Sequence, residues 1–324
     1  MSIPPDFEKG LSEMSCKFAR AAAFVLAFIG MACCGCGSNS TPTFNEVRAF
    51  DKLTEQCNFG PRYTGTQGHR KMIQWLQAEL STSADKTIKH TFKARTAAGL
   101  LEFTNIYAVF NPKASRFVLL CAHWDTRPRA DEEVVPEKRI KPILGANDGA
   151  SGVAVLLELA RMFKEKQPQV GVVMVFFDGE DYGPSAEDMF IGSKAFARDL
   201  KNQLLRLGVK EKPDYGILLD MVGDKDLHIP KEQFSNRNAP EIVEKVWKVA
   251  KLAGYGDVFV DKEGYMVSDD HLPIIFAGVK CIDIIDFDYA YWHTLDDTPD
   301  KCSAKSLKIV GDVVARVVYE ESSK

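Results

Sequence analysis

His123 and Asp125 in His123-Trp124-Asp125, then Asn147-Asp148, Glu180-Asp181 and Asp220, each follow an apolar, strand-like run, and Trp292-His293 comes further along the chain. Imidazoles and carboxylates are metal donors, and in an open α/β sheet ligands gather outside the carboxyl ends of the strands. Residues far apart in sequence therefore converge if each ends a strand. Glu180 and Asp181 are adjacent carboxylates, an arrangement that costs free energy unless a cation compensates it or one group is protonated. A division of labour meets that condition, with one carboxylate binding metal and the other exchanging protons. Asp148, Asp181 and His293 would give zinc two anionic oxygens and one neutral nitrogen, leaving a position open for water or substrate, which marks a catalytic rather than a structural site.

Each residue also has a plainer reading. Asp148 lies in the small-residue loop Gly145-Ala146-Asn147-Asp148-Gly149-Ala150-Ser151-Gly152, where an Asp commonly caps the following helix. Asp269-Asp270-His271 precedes a short apolar stretch and is open to the same explanation. Glu180-Asp181 on its own suits a solvated acidic loop, and a lone loop histidine such as His293 is not ordinarily a ligand. Repetition of the placement favours the metal site. His123 and Asp125 are two apart, so strand alternation points both the same way and predicts a histidine oriented by a carboxylate.

Strand-like runs cover residues 87–92, 105–110, 117–122, 172–177, 215–219 and 281–285. Helical patterns cover 44–56, 67–80, 153–164, 192–200, 240–253 and 304–319, with a turn at Gly60-Pro61-Arg62-Tyr63-Thr64-Gly65. Near-continuous apolar strands separated by amphipathic helices predict an α/β fold, a three-layer αβα sandwich whose mostly parallel sheet is covered on both faces. One catalytic domain is expected over 44–324, after a leader over 1–36 and a polar linker over 37–43.

The 324 residues carry 41 Lys and Arg against 45 Asp and Glu, a net charge of -4 without basic blocks, so no nucleic-acid partner is indicated. The apolar run at 21–31 follows Lys17 and Arg20 and is too short for a spanning helix of ~20 residues. It ends at Ala32-Cys33-Cys34-Gly35-Cys36, like a bacterial lipoprotein signal whose cysteine becomes the lipidated amino terminus. Residues 1–13 are polar and partly acidic, whereas a start at Met14 gives a compact basic n-region. The expectation is export to the cell envelope or periplasm, with membrane attachment only through a lipidated Cys33, Cys34 or Cys36, or through an uncleaved signal anchor. Cys57, Cys121, Cys281 and Cys302 show no zinc-ligand spacing. Cys121 and Cys281 fit buried strand positions, and Cys57 and Cys302 are available to pair, which sequence does not decide.

The ordered motifs resemble the superfamily of zinc aminopeptidases that also contains the animal-type glutaminyl cyclases, over most of the mature chain. The resemblance implies a zinc-exopeptidase-like fold. It also implies the amino termini of peptides or proteins as substrate, with Glu180 as general acid and base. In the aminopeptidase branch, residues matching His123, Asp148 and Asp220 hold one zinc and those matching Asp148, Asp181 and His293 hold another. In the cyclase branch only the latter zinc is used. Trp292 before His293 resembles the cyclase substrate wall. The second Asp of Asp269-Asp270-His271 resembles the acid that hydrogen-bonds the base, giving Asp270 and Asp220 roles beside Glu180. The expected activity is conversion of amino-terminal glutamine to pyroglutamate with one zinc; the alternatives are a two-zinc aminopeptidase and a non-enzymatic binding domain. Three departures from the animal cyclases stand out: Asp181 replaces Glu, no tryptophan lies within 182–189, and Ala122 replaces a disulfide cysteine. They suggest a bacterial offshoot with a different pocket rim.

Overall fold

The computed structural model describes residues 41–322, and residues from Pro42 onward form one compact unit. The expected leader and the start of the linker lie outside the described residues. Six strands make the main sheet: β1 (Lys86–Thr96), β2 (Gly99–Phe110), β3 (Phe117–His123), β4 (Gly171–Phe177), β5 (Tyr215–Asp220) and, after two short strands elsewhere, β8 (Lys280–Ile285). Their spatial order is β1-β2-β4-β3-β5-β8. Strands β4, β3, β5 and β8 are parallel, whereas β1 and β2 form an antiparallel hairpin at one edge. The hairpin is longer than the apolar runs predict because its outer part pairs Ala94 with Leu101 and Arg95 with Leu100, beyond the helical cover and without a continuous hydrophobic signal.

Alternation along the strands separates two cores. Val118, Leu120, Ala122, Met174, Ile217 and Leu219 face helices α1 (Glu46–Cys57), α2 (Gln67–Ser83), α3 (Ala150–Glu165), α7 (Pro240–Leu252) and α9 (Ala304–Glu320). Leu119, Cys121, Val173, Val175, Leu218 and Cys281 face α4 (Ile191–Arg198), α5 (Leu200–Leu207) and α8 (His271–Phe276). Burial on both sides accounts for the near-continuous apolar strands. The predicted helix over 192–200 divides into α4 and α5 around Asp199. Polar segments without strong periodicity hide β6 (Ile229–Lys231), β7 (Phe259–Glu263) and α6 (Gln233–Asn238) from sequence reading.

Strand β3 has β4 on one side and β5 on the other, so the connections leaving β3 and β4 run to opposite sides and open a crevice at the strand ends. The amino terminus of α3 closes in on that crevice. A Cβ on Gly152 would lie 2.2 Å from the Leu219 carbonyl oxygen, and one on Gly149, whose φ is +97°, would lie 2.6 Å from the Asp125 carbonyl. Only glycine admits both the backbone conformation at 149 and this close approach. All four cysteines among the described residues are buried free thiols, so Cys57 and Cys302 do not pair. No helix among those residues is long and apolar enough to cross a membrane.

Candidate active site

The ends of β3 and β5 place His123 and Asp220, the turn after β4 carries Glu180 and Asp181, and the loop after β8 carries His293. His293 Nε2 lies 3.5 Å from Asp148 Oδ2 and 3.4 Å from Asp181 Oδ1. His123 Nε2 lies 3.2 Å from Asp148 Oδ1 and 3.0 Å from Asp220 Oδ1. Two buried donor groups, Asp148/Asp181/His293 and His123/Asp148/Asp220, therefore share Asp148. Tetrahedral zinc with bonds of about 2.0–2.2 Å requires ligand atoms roughly 3.3–3.5 Å apart, and both distances from His293 meet that spacing. Asp181 Oδ2 is buried without a hydrogen-bond partner, as suits a donor to a cation. The residues fit zinc.

Asp148 does not cap α3. Gly149 is the capping residue, with no side-chain bond to the helix, and the Asp148 backbone is held from outside. Asp297 accepts from the amides of Asn147 and Asp148 at 2.8 and 3.2 Å and from the Tyr289 hydroxyl at 2.9 Å. Burial, with Asp148 nearby, pushes the Asp297 carboxyl up to about 7. Asn147 Oδ1 accepts from Gly223 N at 2.7 Å, tying the loop to the segment after Asp220. His293 adopts a left-handed φ of 53°, a conformation costing about 1–3 kcal/mol for a non-glycine residue. Its ring stacks on Trp292 with centroids 3.9 Å apart, and Trp292 continues to Phe287 at 5.2 Å.

The expected pairing of His123 with Asp125 is present as a close ion-pair contact and not as a hydrogen bond. His123 Nδ1 is 3.6 Å from Asp125 Oδ1 and has no hydrogen-bond partner. Asp125 accepts instead from the amides of Glu180 and Asp181 at 3.1 and 3.3 Å, because the turn after β4 folds over the end of β3 and brings its unpaired N–H groups within reach. Asp125 thus holds the base in place. Glu180 Oε2 lies 3.6 Å from His123 Nδ1.

Burial raises the Glu180 carboxyl well above its ordinary value; Asp181, Asp269 and Asp270 add to the shift and His123 opposes it. Burial opposes charging of His123, yet Asp220, Glu180, Asp125 and Asp148 together outweigh it and lift the imidazole well above its usual range. Asp181 behaves oppositely to Glu180: burial pushes it up, but His293 and Arg127 together bring it below the ordinary carboxylate value. The acid expected behind Glu180 is Asp270. It does lie in this cluster, and burial raises it to about 7, but neither of its oxygens is hydrogen-bonded. Asp269 exerts the larger field on Glu180 and is itself raised well above normal by burial, Asp220 and Asp270. Neither side chain caps α8 through the capping position at Asp270. Sequence reading passed over Asp269 as a site residue although it adjoins Asp270, and it passed over Arg127, Asp131 and Asp297. Arg127 is two residues beyond Asp125, a spacing that offered a signal.

Fold and site together give an α/β protein with candidate metal-donor and acid–base groups side by side at the strand ends. Residues 105–318 match the model of peptidase family M28, and the chain belongs to that family. It is similar to the crystal structure of a glutaminyl cyclase from Bacteroides thetaiotaomicron bound to N-acetylhistamine, with 37% identity, 87% of this chain and 100% of that chain covered, and a TM-score of 0.82. A leucine aminopeptidase precursor from Bacteroides thetaiotaomicron is as similar, at 38% identity over 87% of this chain and 99% of that chain, with a TM-score of 0.83. The glutaminyl-peptide cyclotransferase of Bos taurus is 26% identical over 294 residues, spanning 80% of this chain and 78% of the relative.

Proposed function

We propose that this protein is a glutaminyl-peptide cyclotransferase that converts the amino-terminal glutamine of peptides or proteins to pyroglutamate with release of ammonia. Asp148, Asp181 and His293 would hold zinc, which when bound supplies Lewis-acid polarisation of the glutamine side-chain carbonyl. The observation that carries the reading is the Trp292 ring stacked on His293 at an interplanar angle of 26°. It extends an aromatic wall beside the donor group, and a flat carboxamide side chain can lie along that wall.

Glu180 takes a proton from the attacking α-amine and returns one to the leaving nitrogen, as its raised affinity for protons suits. The new bond joins the α-nitrogen to the side-chain carbonyl carbon, the bond from that carbon to the amide nitrogen breaks, and ammonia departs. The nucleophile and its target belong to one residue, so proximity supplies part of the acceleration. Asp269 and Asp270 crowd Glu180 with further buried carboxyls and so raise its affinity for protons. Asp220 fixes His123, whose imidazole faces the base.

One observation favours a two-zinc aminopeptidase: Asp148 turns Oδ1 to His123 and Oδ2 to His293, the disposition of a carboxylate bridging two metals. The purified protein incubated with a Gln-initiated peptide separates the readings. Product lighter by ammonia with the chain intact supports the cyclase; release of a free amino acid sinks it and supports the aminopeptidase.

The leader motif supports export and lipid anchoring at Cys33, Cys34 or Cys36. Replacing all three by Ser should move the protein from the membrane fraction to the soluble fraction, and unchanged membrane fractionation would favour the uncleaved signal anchor over lipidation.

A further inference from the structure

Arg127 and Asp131 flank the Asp148/Asp181/His293 group and have no part in the chemistry above. Arg127 is 7% exposed and donates through Nη1 to Asp181. Its Nε reaches Asp131 Oδ1 at 2.7 Å and Oδ2 at 3.0 Å, and its Nη2 reaches Oδ2 at 2.7 Å. Asp131 in turn sets Oδ1 3.5 Å from His293 Nδ1, while the other nitrogen of that ring faces Asp148 and Asp181. One guanidinium–carboxylate pair thus reaches two of the three donors. The turn carrying Asp181 is moulded to it: a Cβ on Gly183 would lie 3.1 Å from Arg127 Nη1 and 3.2 Å from Nη2, and Met189 Sδ lies 3.6 Å from Nη1.

Resting on the zinc reading, we propose that Arg127 and Asp131 are a positioning pair that presets Asp181 and His293 for the metal. A planar guanidinium engages two carboxylates along different edges at once, which a lysine ammonium does not reproduce. An acceptor facing Nδ1 selects the tautomer that leaves Nε2 free to bind metal, and such outer partners also fix the ring plane. Charge explains why the two residues act together. A bound zinc is neutralised by Asp148 and Asp181, and a lone arginine beside it would repel it; Asp131 offsets that charge, so the guanidinium orients Asp181 without opposing the cation. Asp181 is also one methylene shorter than glutamate, so a small displacement of its carboxylate moves it out of bonding range.

The test titrates zinc into the full chain in competition with a chelator of known affinity, using Arg127→Lys, Arg127→Gln, Asp131→Asn and, as a control, Arg129→Gln. Arg129 donates to the Tyr182 carbonyl at 2.7 Å on the same turn and supports the loop without reaching a donor. The first three variants are expected to bind zinc about 10- to 100-fold more weakly than wild type, while Arg129→Gln matches it. With saturating zinc they should lose kcat for a Gln-initiated peptide with KM little changed. The visible spectrum of the cobalt-substituted protein should shift in Asp131→Asn. Asp131→Asn keeps the test open if Arg127 variants fail to fold, circular dichroism being the check. Zinc affinity within about twofold of wild type in folded Arg127→Lys and Asp131→Asn overturns the proposal. A wild-type protein that binds no zinc instead overturns the reading on which it rests.

Discussion

On the His293 side of Asp148, the carboxylate of Asp181 lies against the guanidinium of Arg127 and its carboxyl is held below the ordinary range. On the His123 side, Asp220 and Glu180 face a single imidazole, Asp269 and Asp270 add to the field on Glu180, and the Glu180 and Asp269 carboxyls are raised well above theirs. Both regions are buried, so burial alone does not separate them. The counterion does. A fixed cation keeps a carboxylate ionised and ready to donate electron pairs, whereas crowded acids with too few cations retain protons and exchange them. The halves of one crevice are accordingly suited to different work, metal binding at one and proton transfer at the other, with Asp148 common to both.

The largest effect should come from removing a donor on the ionised side. His293→Ala is expected to lose zinc on dialysis and to fall to background turnover, measured by metal analysis and ammonia release; a zinc-loaded, active variant would place the metal elsewhere. Glu180→Gln breaks the protonating side alone. It should retain zinc yet lose about 10²- to 10⁴-fold in kcat, and a variant that loses metal and rate together would show that the halves are not separable. The smallest change is expected of His123→Ala, which removes the imidazole facing Glu180. If only the His293 group binds zinc, metal content stays unchanged and turnover falls about tenfold, equivalent to about one pKa unit at the base. Loss of half of the bound metal would instead establish a second zinc and favour the aminopeptidase.

Much of the sheet was legible because strands covered on both faces must be apolar throughout: residues 117–122, 172–177, 215–219 and 281–285 all fall within β3, β4, β5 and β8. The outer hairpin and the short elements β6, β7 and α6 were not, since little apolar surface is buried there to impose a period. Among the site residues, strand ends announced His123, Glu180, Asp181 and Asp220, because a polar residue that terminates a buried apolar strand calls for an explanation. Asp297 carries no such mark. It lies in a polar loop, and its bonds to the Asn147 and Asp148 amides cross about 150 positions.

By itself the sequence determined the layer architecture and the set of chemically competent residues at the strand ends, since periodicity and residue type are local properties. Which of those residues share a charge, a proton or a ligand was decided only by the tertiary structure. Parallel strands bring the ends of β3, β4, β5 and β8 to one edge, and loops of different length then settle each side chain's neighbours. That is how Asp125 came to hold the turn of Glu180 as well as facing His123, and how Arg127 came to lie against Asp181: electrostatic partnership depends on distances of a few ångströms between segments, and spacing along the chain does not encode them.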